Sequence, residues 1–154
     1  MKRKLMAMLC VLMIMVSLCA CKKTSSVAFT WKLDNGESVE VELDTTESDL
    51  KLKPDDSSFR VENSEMTLLL GGFGTKETWD HYTAAIQENE ACEVVSSNGN
   101  RIIWKVDSEG GLEYNMIEKV TDNICVYTGR VLNDAVGEET TQDVFDRLTF
   151  REGE

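Results

Sequence analysis

Residues 91–132 read ACEVVSSNGNRIIWKVDSEGGLEYNMIEKVTDNICVYTGRVL. Four runs rich in Val, Ile, Trp and Tyr stand in quick succession: Ala91–Ser96, Arg101–Val106, Leu112–Val120 and Ile124–Leu132. Between them lie Ser97-Asn-Gly-Asn100, Ser108-Glu-Gly-Gly111 and Thr121-Asp-Asn123. Glycine supplies a positive φ without steric cost, and Asn and Asp tolerate it, so these are turns. A parallel crossover takes a dozen or more residues, and none of these connections has them. The stretch therefore predicts a four-stranded antiparallel meander.

Upstream, Thr75 to Asn89 predicts a helix. Trp79, Tyr82 and Ile86 fall at i, i+3 and i+7 with Ala85 beside them, Thr75 can cap the start, and Glu77 suits the dipole. Before it, Ser58–Val61 and Met66–Leu70 predict a hairpin. Residues 44–57 form a polar connection that holds Leu50-Lys-Leu52 and the single proline, Pro54, and predict a loop. Earlier still, Val27, Phe29, Trp31 and Leu33 alternate along one run, and Val39, Val41 and Leu43 alternate with Ser38, Glu40 and Glu42 along the next, around Asp34-Asn35-Gly36, so the hairpin has one apolar and one charged face. Two period-2 runs about Asn-Gly are a strong hairpin signal. Downstream, Thr140 to Phe150 predicts a short closing helix with Val144, Phe145 and Leu148 as its apolar stripe, and Thr140 three before Asp143 as a cap.

The sum is an α+β fold: an antiparallel meander sheet of about eight strands in hairpins, with a central and a C-terminal helix packed on it. In element order it is similar to the PsbP-like arrangement.

The N-terminus has another grammar. Lys2, Arg3 and Lys4 precede Leu5 to Ala20, sixteen residues without a charge. Charge followed by a short apolar run is the order of a secretory signal, and sixteen residues fall short of the ~20 that span a bilayer. Leu18-Cys19-Ala20-Cys21 ends the run and resembles the lipobox of bacterial lipoproteins: apolar at minus three, small at minus one, then cysteine. The resemblance implies that Cys21 receives a diacylglycerol and becomes the first mature residue. Two acyl chains at ~0.8 kcal/mol per buried CH₂ hold a protein stably where one does not. The implied organisation is a cleaved signal over 1–20, a lipidated tether over 21–26 and one domain over 27–154. It places the domain on the extracytoplasmic face of a bacterial envelope membrane. Lys22 and Lys23 beside the lipid would pair with anionic headgroups at ~1 kcal/mol each.

Without the signal the chain carries 13 basic against 28 acidic side chains, a net charge of −15. Phosphate binding needs a basic surface, so nucleic acid is not an expected partner. The expected partners are the membrane, through the lipid, and an unidentified protein or small molecule, cationic ones included. Of five cysteines only Cys92 and Cys125 lie in the domain. Export permits a disulfide between them, worth ~3 kcal/mol or more, while their apolar strand-like settings fit two buried free thiols equally well.

Candidate chemistry is sparse. Gly71-Gly-Phe-Gly74 precedes the helix and could cradle an anion on backbone N–H groups; the simpler expectation is a tight turn at positive φ. His81, the single histidine, lies off the helix stripe and lacks a nucleophile or metal partner in sequence. Asp55-Asp56, Glu88/Glu90, Asp107/Glu109 and Glu138-Glu139 are carboxylate clusters without the full EF-hand pattern. Trp31, Trp79, Trp104, Tyr82, Tyr114 and Tyr127 sit at core spacings and could instead line a pocket. Neither a metal, a cofactor nor a catalytic constellation is expected. A small-ligand or cation-binding protein and a cell-wall hydrolase are the alternatives to a binding or scaffolding module.

Overall fold

The computed structural model describes residues 25–108, 111–130 and 136–153. The signal, the lipobox with Cys21, and Glu109, Val131 and Leu132 lie outside the described residues. Among the described residues ten strands and two helices follow in order: β1 (Ser26–Lys32), β2 (Ser38–Asp44), β3 (Lys51–Pro54), β4 (Ser58–Glu62), β5 (Thr67–Thr75), α1 (Lys76–Glu88), β6 (Cys92–Ser97), β7 (Arg101–Ser108), β8 (Gly111–Lys119), β9 (Ile124–Arg130), α2 (Glu138–Arg147) and β10 (Leu148–Glu152). The fold is α+β with entirely antiparallel pairing. One sheet of seven strands runs β3-β4-β5-β9-β8-β7-β6, and a smaller one runs β1-β2-β10. The predicted meander is β6 to β9.

The two sheets face each other. Trp31, Val39, Val41, Leu43, Leu148 and Phe150 from the small sheet share one core with Leu52, Phe59, Val61, Leu69, Ile103, Met116 and Val126 from the large one; Val144 and Phe145 of α2 join them. Each such side chain, fully buried, contributes about 1.5–3 kcal/mol by leaving water. On the opposite face of the large sheet α1 lays Trp79 and Ile86 over Trp104, Ile117 and Cys125. The layers are small sheet with α2, large sheet, then α1.

The first hairpin forms as its pattern requires. Trp31 pairs with Val39 and Phe29 with Val41. Gly36 takes φ +87° and its N–H donates to the Leu33 carbonyl oxygen at 2.9 Å. A turn ending in a left-handed glycine fits a three-residue hairpin loop.

Three expectations need correction. The 44–57 connection is not all loop, because Lys51–Pro54 pairs with β4 as an edge strand. Pro54 is tolerated there since an edge leaves one side of the ladder unpaired. Gly71-Gly-Phe-Gly74 is neither a tight turn nor an anion cradle: all four residues pair with β9 as the end of β5, and none of the three glycines has a positive φ. The glycines are there for clearance. A Cβ on Gly71 would lie 2.1 Å from Phe59 Cζ, one on Gly72 would lie 2.7 Å from the Tyr127 hydroxyl, and one on Gly74 would lie 2.6 Å from the Thr78 methyl. The closing helix spans Glu138–Arg147, so Thr140 sits inside its first turn and Gly137 caps it. Leu148 to Glu152 leaves the helix as β10 and pairs with β2. Of the two states left open for Cys92 and Cys125, the structure has free thiols, Cys125 buried and Cys92 half-buried. β7 and β8 stand between their strands, so three strand spacings, about 14 Å, separate β6 from β9, whereas a disulfide needs Cα atoms within about 7 Å.

Candidate functional site

The mouth between the sheets is the best-formed concavity. It closes on three segments: the end of β1 with its turn (Trp31, Leu33, Asp34), the β3–β4 turn (Asp56, Ser57) and the end of β5 (Phe73, Gly74). It encloses about 340 Å³, within the range of small-molecule sites. Its wall is aromatic. Trp31 and Phe73 rings meet at 5.2 Å, and Phe59 lies 5.9 Å from each. The Trp31 indole N–H donates to the Asp55 carbonyl oxygen at 2.9 Å, tying the first hairpin to the β3–β4 turn. Arg60 holds that turn from outside through Asp55 at 2.8 Å. Asp34 and Asp56 give the rim two exposed carboxylates. Lys32 also borders the mouth, but strand alternation turns it to the solvent face opposite Trp31.

A second, shallower cleft of about 260 Å³ lies on the α1 side of the large sheet, among Leu70, Tyr82, Trp104, Asn115, Tyr127 and Gly129. Tyr82 stacks on Tyr127 at 5.8 Å and tilts onto Trp104 at 5.7 Å. Burial raises the Tyr82 phenol above its ordinary range. Of the six Trp and Tyr residues weighed in sequence, Trp31, Trp79, Trp104 and Tyr114 are core, and Tyr82 and Tyr127 are half-buried. Core spacing was thus the right signal for four of them, though the edges of Trp31 and Trp104 also reach a concavity.

The chain enters the domain at the far end of β1 from the mouth. Ser25 N–H donates to Thr46 Oγ1 at 3.0 Å, and Thr45 N–H donates to the Ser25 carbonyl oxygen at 2.8 Å. Arg147 from the end of α2 donates to the Thr46 carbonyl oxygen at 3.0 Å. Hydrogen bonds from Thr46 hold the Asp44 carboxyl below its ordinary range. This corner pins the incoming chain. Seven residues of β1, about 20 Å of rise, then separate it from the mouth.

The remaining sequence candidates do not converge. His81 is exposed on α1 with its ring edge near Tyr82 at 6.2 Å. Asp55 pairs with Arg60; Glu88, Glu90, Asp107, Glu138 and Glu139 are exposed on separate elements. Among the described residues no group of three or more His, Cys, Asp or Glu could hold a metal, and no helix is long and apolar enough to cross a membrane. The mouth itself was not read from sequence: Trp31, Asp56 and Phe73 are far apart in the chain, and only the packing of two sheets joins them. No protein-family model, curated protein or solved structure matches the chain.

Proposed function

We propose that this chain is a lipid-anchored protein of the bacterial cell envelope, whose domain binds or scaffolds a partner close to the membrane. The observation that carries the proposal is the Leu18-Cys19-Ala20-Cys21 sequence at the end of a short apolar run. Such an anchor would also orient the domain. Only Lys22, Lys23 and Thr24 separate Cys21 from Ser25, where the pinned corner begins. Four residue steps reach at most ~14 Å, so a lipid on Cys21 would hold that corner against the bilayer and the mouth away from it. The test is the intact mass of the membrane-extracted protein beside Cys21→Ser. A mass beginning at Cys21 with a diacylglyceryl group, and an uncleaved or soluble variant, are expected. A variant that stays membrane-bound at the mature size would overturn the anchor.

The mouth favours a small ligand with a cationic group as the bound partner, because an aromatic wall and two rim carboxylates complement such a group. Titration with tetramethylammonium should shift the Trp31 emission, and Asp34→Asn with Asp56→Asn should weaken the shift. An unchanged emission in the parent protein, or an equal shift in the double variant, would remove the cation preference.

A further inference from the structure

The two edges of the large sheet are guarded differently. β3 is four residues long and carries Lys51, Lys53 and Pro54, the residues that keep an edge from pairing further. β6 has six residues, Cys92–Ser97, with neither Lys, Arg nor Pro. It pairs with β7 on one side, and among the described residues no strand pairs with the other. Val94 is 49% and Val95 38% exposed, two of the four large hydrophobics exposed among the described residues. A third, Leu70, belongs to the same cross-strand row: Val94, Trp104, Asn115, Gly129 and Leu70 stand opposite one another in successive strands. The row runs from the open edge into the aromatic cleft.

The fully exposed charges at the Cys92 end of this edge are acidic. Glu88, Glu90 and Asp107 are exposed near the Cys92 end. The nearest cation, Lys105, is already bound to Glu93 at 2.9 Å. We propose that β6 is a docking edge for an extended segment of another protein, apolar at its centre and basic toward the Cys92 end. Backbone hydrogen bonds along β6 supply affinity, and alternate side chains supply selectivity. The apolar centre lies against Val94 and Trp104, and the basic end meets Glu88, Glu90 and Asp107. A second copy of the chain fits less well. Net charge −12 repels itself, and the irregular register between Val94 and Ser96 would set two bulges against each other.

The test uses the full chain in detergent with a fluorescent octapeptide that carries valines at its centre and lysines at one end, and its glutamate-ended counterpart as control. Anisotropy reports binding, and hydrogen exchange read by mass spectrometry reports where. Expected are binding of the lysine peptide alone, slowed exchange across residues 92–97, and a loss of about tenfold in affinity for Val94→Lys, which puts a like charge and a lost apolar contact at the pairing edge. Ala28→Lys adds the same charge on exposed β1 and should leave affinity nearly unchanged. Equal weakening by both variants, binding of both peptides, or protection outside β6 would overturn the proposal. So would a dimer of the chain alone with β6 protected, which would give the edge to a second copy.

Discussion

The Cys125 thiol, fully buried under the start of α1, lies 3.4 Å from the Thr75 carbonyl oxygen, and burial pushes it up to about 11. The thiolate is the reactive form, so burial and the raised pKa slow Cys125 relative to an accessible thiol. Cys92 is half-buried on an edge strand and has one open side. Brief iodoacetamide treatment of the folded protein at about pH 8 should therefore modify the more accessible Cys92 and spare Cys125. Peptide mass spectrometry reads the outcome, and both residues should react once the chain is unfolded. Equal modification in the folded state would mean that the α1 layer opens readily. A disulfide between the two would leave both unmodified until reduced.

At the scale of elements, Arg101 of β7 joins the large sheet to the α2–β10 junction. It pairs with Glu118 across β8, and its guanidinium donates to the carbonyl oxygens of Phe145 at 3.3 Å and Leu148 at 2.9 Å. It also lies 5.9 Å over the Phe150 ring. Both partners of the ion pair keep only about a fifth of their side chains exposed. Arg101→Met keeps the apolar stem but leaves the Glu118 charge and two carbonyls unsatisfied. It should cost about 2–4 kcal/mol, somewhat under a fully buried pair. The urea midpoint should fall at unchanged slope. A loss below about 0.5 kcal/mol, the range of an exposed pair, would show that water already satisfies this junction. The same junction explains which elements were legible. β1–β2 and β6 to β9 announce themselves because each turn lies beside its strands in sequence. β10 does not, because its partner β2 is more than 100 residues away and no turn marks the pairing. Leu148-Thr-Phe150 also continues the apolar spacing of α2, which made one helix of two elements. β3 is four residues ending in proline, too short to outweigh its polar surroundings.

For the whole molecule, the class was legible and the site was not, for one physical reason. Pattern and turn chemistry are local, and they give strands, a helix and antiparallel pairing. Concavities form where layers fail to close. The mouth lies where β1 of the small sheet meets the β3–β4 turn and β5 of the large one, and until they are brought together Trp31 reads as a core residue and Phe73 as part of a turn. The three glycines of β5 carried a real signal of close approach, but the approaching groups, Phe59, Tyr127 and Thr78, come from three other elements.

The pairing of β2 with β10 also dictates an order of events. Leu43 meets Leu148, so the small sheet cannot be completed until the chain's last residues arrive. Chains emerge N-terminus first, and contacts of such high sequence separation form slowly. The β1–β2 hairpin is therefore an early product whose β2 edge waits unpaired. β10 is the latch that ends the wait, and without Leu148–Glu152 the β2 strand keeps one open edge.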